Sequence, residues 1–78
     1  MWFKIGQPVI VRYHAEGEDE QQMIRRRRGK VISINKRHFT VEVVAKKGVR
    51  NETFLIADLL TGMVKVRKDL EADESGTN

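Results

Sequence analysis

The chain contains no cysteine and only one proline, and it has no long apolar run. Without cysteine there is no disulfide framework, thiolate metal site or cysteine nucleophile. Small secreted domains usually depend on disulfides, so this absence favours a cytoplasmic protein. No stretch approaches the roughly 18 apolar residues of a membrane-spanning helix, and residues 1–11 lack the apolar region of a signal peptide. We therefore expect a soluble cytoplasmic protein with no membrane attachment.

Residues that carry catalysis are also scarce. His14 and His38 are the only histidines, and neither is spaced from carboxylates as metal ligands are. Ser33 lies in a predicted strand with no base nearby in the sequence. We expect a protein that is not an enzyme and that has no cofactor or metal.

The 78 residues suit one small domain, since 40% of them are hydrophobic. Alternating apolar and polar residues predict strands over 8–13, 30–34, 38–44, 52–56 and 63–66. Asn35–Arg37 and Lys46–Gly48 are predicted turns. The polar residues 14–24 form either an extended loop or the excursion of a hairpin. A single helical turn begins at Asp58 and ends at Gly62.

This pattern predicts an all-β fold, a small five-stranded barrel over residues 1–68 with one helical turn before the last strand. Residues 69–78 form an acidic tail that we expect to be disordered. The predicted inward-facing residues are Val9, Val11, Val31, Ile34, Phe39, Val41, Val43, Phe54, Ile56, either Leu59 or Leu60, and either Val64 or Val66.

The order of these elements resembles the Src-homology-3-like small barrels, in particular their KOW and Tudor-type members. The stretches that carry the resemblance are KIGQPVIVRY, RGKVISI followed by HFTVEV, and FLIADLLTGMVKV. The resemblance covers residues 4–67 and is one of pattern and spacing. It implies a binding role, because KOW-type members bind RNA, ribosomes or transcription complexes and Tudor-type members bind methylated side chains in an aromatic cage. With Phe39 and Phe54 assigned to the core, Trp2, Phe3 and Tyr13 are too few for such a cage.

The net charge of +4 hides an uneven distribution. Residues 24–50 contain one acid, Glu42, against the bases Arg25, Arg26, Arg27, Arg28, Lys30, Lys36, Arg37, Lys46, Lys47 and Arg50. If the turns of a barrel bring these bases to one rim, they would hold phosphate oxygens strongly, since a guanidinium can bond a phosphate through two N–H groups. We therefore expect a nucleic-acid-binding module, for RNA rather than DNA, or for a ribonucleoprotein. Aromatic side chains for base stacking are few, so backbone contact is favoured over base readout.

Two features of the sequence oppose that hypothesis or modify it. The acids Glu16, Glu18, Asp19 and Glu20 precede the arginines, and a protruding hairpin over 13–28 would set acids on one arm against bases on the other. The arginine run would then be a self-neutralised loop. The acidic tail could also compete with nucleic acid for the basic rim.

The alternative function is protein–protein interaction. Ile10, Val44 and Leu55 are predicted to point outward from their strands, with Ile32 joining them if the strand contains a bulge. A contiguous apolar patch on a small domain usually marks an interface. This interpretation allows either a monomer with a protein partner or a weak homodimer.

Overall fold

The computed structural model describes residues 2–16 and 22–71 as five strands and one short helix. In chain order these are β1 (Pro8–Glu16), β2 (Gln22–Ile34), β3 (His38–Ala45), β4 (Gly48–Leu55), α1 (Ile56–Thr61) and β5 (Val64–Lys68). The mostly-β prediction is confirmed, as is the short helix before the last strand. No helix within these described ranges is long and apolar enough to cross a bilayer.

All the strands are antiparallel in one sheet, in the spatial order β4-β3-β2-β1-β5. β2 pairs with β1 from Gln22, opposite Glu16, to Lys30, opposite Pro8. β3 pairs with β2 only between Gly29 and Ile34. β2 therefore has a core half (Gly29–Ile34), which pairs with β3, and an arginine half (Gln22–Arg28), which pairs with β1 but not with β3.

The core lies on one face of the sheet, because successive side chains of a strand point to opposite faces. Its buried members are Phe3, Val9, Val11, Val31, Phe39, Val41, Val43, Phe54 and Val64, with Tyr13, Ile34, Ile56, Leu59 and Val66 packed against them. The predicted inward set is confirmed, with Leu59 inward and Leu60 82% exposed. Phe3 was not in that set. Its side chain is 2% exposed and its ring centroid lies 5.1 Å from that of Phe39.

The boundaries of several elements differ from the prediction. Of the two alternatives for the stretch 14–24, the strand pairing agrees with the hairpin excursion: residues 14–16 belong to β1 and 22–24 to β2, Glu16 lies opposite Gln22, and residues 17–21 lie outside the described part. The predicted strands stopped short of these ends because no sustained apolar–polar alternation marks them. β4 begins at Gly48 rather than Glu52. α1 begins at Ile56 instead of Asp58, and no side chain caps its first turn. Its last residue is Thr61, and the predicted Gly62 is the C-cap, with a φ of 84°.

Both predicted turns are confirmed, and they lie at opposite ends of β3. Before β3, the side-chain oxygen of Asn35 accepts hydrogen bonds from the backbone N–H groups of Arg37 (2.9 Å) and His38 (2.8 Å). After β3, Ala45 pairs with Gly48 across the turn. Since a strand rises about 3.3 Å per residue, the two turns are roughly 23 Å apart. The register shift between Val31 and Ser33 identifies the bulge that the sequence suggested at Ile32.

Candidate functional site

The four consecutive arginines lie in a strand rather than in a loop. Arg25 and Arg27 are opposite Tyr13 and Val11 of β1, so they extend the core face of the sheet. Arg26 and Arg28 are opposite Arg12 and Ile10, so they lie on the outer face. The extended backbone thus sends the run of arginines to both sides of β2.

On the Arg28 side of Gly29, β2 no longer pairs with β3, and an open groove of about 640 Å³ lies between β2 and the β3–β4 hairpin. We call it the basic groove. Its lining residues are Arg25, Arg26, Arg27, Arg28, Val44, Ala45, Lys46, Lys47 and Arg50. The arginine run, the Lys46-Lys47 turn and Arg50 therefore meet at one place, and none of the described residues that line it is acidic.

The remaining predicted site residues lie elsewhere. Lys36 and Arg37 belong to the turn at the far end of β3. Lys30 lies opposite Glu42 on the outer face of the sheet, outside the groove lining. The structure thus brings together seven of the ten predicted residues and separates these three.

Ion pairs neutralise only part of the groove. Arg28 contacts the carboxylates of Glu71 and, at 3.6 Å, of Asp69, which is 4% exposed. The hydrogen bond that Arg28 donates to the Glu71 carboxylate, followed by the negative charge of Asp69, raises the pKa of Arg28. Arg50 pairs with Glu52 at 2.9 Å. The other cations of the groove make no ion pair within residues 2–16 and 22–71.

The strand register bears on the hypothesis of a self-neutralised loop. The β1 residues opposite the arginine run are Ile10, Val11, Arg12 and Tyr13, and none of these is acidic. Glu16 pairs through its backbone with Gln22, not with an arginine. The side chains of Glu16, Glu18, Asp19 and Glu20 lie outside the described residues, so whether those acids reach the arginines stays a hypothesis.

One guanidinium in the groove has an unused donor. The Nε atom of Arg27 is buried and has no hydrogen-bond partner among the described residues, while its Nη1 donates to the Arg26 carbonyl at 3.1 Å. A buried N–H group without an acceptor costs free energy, and more so when the group is charged.

The sequence analysis missed a second group of cations. Arg12 of β1 lies between Arg26 of β2 and Lys65 of β5, directly opposite both. These three residues, together with Arg67 and Ile24, line a depression of about 390 Å³ on the outer face. We call Arg12, Arg26, Lys65 and Arg67 the outer basic face. Alternation already indicates that Arg12 and Lys65 point away from the core, but only the long-range pairing of β5 with β1 shows that they meet.

The predicted apolar patch does not form. Ile10 lies on the outward face as predicted, but it is 5% exposed, because it shares a small pocket with residues 67–71. Val44 and Leu55 are 61% and 45% exposed. They lie toward opposite ends of the β3–β4 hairpin, separated by polar pairs such as Thr40 with Thr53. The expectation of a contiguous patch of Ile10, Val44 and Leu55 is therefore wrong.

The aromatic residues are used mainly for packing. Phe3, Phe39 and Phe54 are buried, and the ring of Tyr13 lies 5.0 Å from that of Phe54. Trp2 is 47% exposed but packs edge-on against Phe3, and it does not line the basic groove. In the described part of the chain no group of three His, Asp or Glu residues is placed to hold a metal ion.

Comparison with protein-family models, with curated proteins and with solved structures finds no match for this chain. Its function is therefore argued from the geometry and charge of its own residues.

Proposed function

We propose that the protein is a non-enzymatic binding module that holds the sugar-phosphate backbone of a nucleic acid in the basic groove. The observation that supports this most directly is the convergence of Arg25–Arg28, Lys46, Lys47 and Arg50 on one surface, to which residues 2–16 and 22–71 contribute no acidic lining residue. Cations that are distant in sequence repel each other when folding gathers them, so the cluster favours an anionic ligand.

The chemistry of the groove suits phosphate better than bases. Arginine forks bond phosphate oxygens through two N–H groups, and lysines add point charges. Base readout needs either aromatic platforms or polar groups that match base edges. Among residues 2–16 and 22–71, no aromatic side chain lines the groove. Recognition would therefore depend on the backbone and tolerate many sequences.

The fold adds an argument by resemblance. We infer that the five-stranded sheet curls into a Src-homology-3-like barrel, which is supported by the strand order and by the helix before β5. KOW-type members of that class bind RNA or ribonucleoproteins, so RNA is the preferred ligand in this proposal.

Two matched pairs of lysine and arginine residues test the proposal. The wild-type protein is titrated with a single-stranded RNA of about 12 nucleotides, a length within the range of small single-strand-binding domains. The measurement is the binding constant between about 50 and 200 mM salt. We call the steepness with which log K falls against log salt the salt slope, and each lost phosphate contact reduces it by about 0.7 for single strands. The double variant Lys46→Gln/Lys47→Gln is expected to lower the slope by about 1.4.

The control variant is Lys36→Gln/Arg37→Gln, which removes the same charge from the turn at the other end of β3. It is expected to leave the slope close to that of the wild type. Equal losses for the two double variants would mean that net charge, not the groove, attracts RNA. Absence of binding by the wild-type protein at low salt would reject the nucleic-acid proposal altogether.

A further inference from the structure

The outer basic face is built from charges that face each other directly. Arg26, Arg12 and Lys65 form one row across β2, β1 and β5, and neighbouring strands are about 4.8 Å apart. Like charges directly opposite each other destabilise a sheet. Each of the three side chains is exposed, and the part of the chain that the structure describes contributes no acid to the depression that they line. An isolated surface cation needs no explanation, but three opposed cations in adjacent strands do.

The outer basic face is continuous with the basic groove. Arg26 lines both the groove and the outer depression, because it lies in the arginine half of β2, which β3 does not cover. Arg25 and Arg27, its neighbours in sequence, lie on the other face of the same strand. A ligand that leaves the groove over the edge of β2 therefore meets Arg26 first, and then Arg12 and Lys65.

We propose that the ligand is a single-stranded nucleic acid that passes over the edge of β2 and contacts both the basic groove and the outer basic face. This inference rests on the proposed function and specifies its substrate class. Double-stranded DNA has a persistence length of about 150 base pairs and cannot bend around the thickness of one sheet. A flexible single strand can follow a basic groove and turn over its rim.

The experiment compares the double variant Arg12→Gln/Lys65→Gln with Lys46→Gln/Lys47→Gln. The probes are a single-stranded RNA of about 12 nucleotides and the duplex of the same sequence and length. If a single strand contacts both surfaces, each double variant lowers its salt slope by about 1.4. The duplex reaches one surface only, so one of the two double variants leaves its slope unchanged.

A stability measurement separates a binding surface from a structural one. Removing opposed like charges relieves repulsion, so Arg12→Gln/Lys65→Gln is expected to raise the melting temperature at low salt while it weakens RNA binding. The increase in melting temperature should disappear at high salt, because salt screens the repulsion between the charges. A fall in melting temperature at low salt would overturn the argument from repulsion.

The outcomes distinguish this inference from the proposal on which it depends. If only Lys46→Gln/Lys47→Gln weakens single-strand binding, the outer basic face is not part of the path and the groove proposal stands. If both double variants lower the slope for the duplex as much as for the single strand, the wrapping path is wrong. If the wild-type protein binds neither probe, the proposed function fails and this inference fails with it.

Discussion

The two halves of β2 belong to one strand but differ in what surrounds them. In the core half, Val31 is fully buried and lies opposite Val41 of β3. In the arginine half, the same alternation presents guanidinium groups on both faces, because β3 pairs with β2 only from Gly29 onward. A continuous strand can therefore support the fold at one end and present a dense set of cations at the other.

Gly29 marks the boundary between the two halves. It lies opposite Val9 on one side and Val43 on the other. A Cβ atom at Gly29 would lie 2.3 Å from the Glu42 carbonyl oxygen and 2.7 Å from Cγ1 of Val41. The missing side chain thus allows β3 to approach β2 closely at the last pair before the groove opens.

The largest loss of stability is expected from a substitution at Gly29. Gly29→Ala places a methyl group against backbone atoms that cannot rotate away, so we expect a loss of about 3 kcal/mol in the free energy of unfolding. Urea denaturation measures the loss. The control is Gly6→Ala, where φ is 91° and no atom lies within 4 Å of the added Cβ. Gly6→Ala should lower the free energy of unfolding by only about 1 kcal/mol, because alanine adopts the left-handed backbone conformation less readily than glycine.

A change of less than about 0.5 kcal/mol for Gly29→Ala, the size of an ordinary surface substitution, would show that β3 is not held as close to β2 as we describe.

A second prediction separates the two halves by function. Val31→Ala removes two buried methyl groups and should cost roughly 2 kcal/mol of unfolding free energy while the salt slope of RNA binding stays the same. Its control, Val44→Ala, deletes the same atoms from a side chain that is 61% exposed and should change stability by less than about 0.5 kcal/mol.

Arg25→Gln is the converse change in the arginine half. It should lower the salt slope by about 0.7 and leave the unfolding transition nearly unchanged. If Val31→Ala lowered the slope as much as Arg25→Gln does, the division of β2 into a structural half and a binding half would be wrong.

The same division explains how far the sequence could predict the molecule. The sequence alone identifies Phe39, Val41 and Val43 as core residues, because each has a more polar neighbour and one face of their strand is buried. The alternation fails for the arginine half, because both of its faces carry polar side chains. The sequence therefore located the charges but did not decide between a loop and a hairpin for them.

The convergence of charges was harder to predict than the strands. The basic turns at Lys36-Arg37 and Lys46-Lys47 look alike in sequence, and only the direction of β3 decides which of them reaches the arginines. Likewise, Arg12 and Lys65 are far apart in the chain and meet only because β5 returns to pair with β1. Strand pairing between distant segments is set by the whole fold and cannot be inferred from local periodicity.

The smallest predicted effect concerns Arg28, which pairs with Glu71 and Asp69. Glu71→Gln removes the main partner of Arg28 and leaves its guanidinium available in the groove. Because the pair is exposed and its interaction is weak, we expect affinity for single-stranded RNA to rise only about twofold at low salt.

Net charge alone would also raise affinity, so the control has to add the same charge elsewhere. Glu42→Gln does so on the outer face opposite Lys30, outside the groove. A double-mutant cycle with Arg28→Gln isolates the contact, since the gain from Glu71→Gln should vanish when Arg28 is absent. A gain that persists without Arg28, or an equal gain from Glu42→Gln, would show that Glu71 acts through the overall field. In that case the acids near the end of the chain would not compete with RNA for the arginine half of β2.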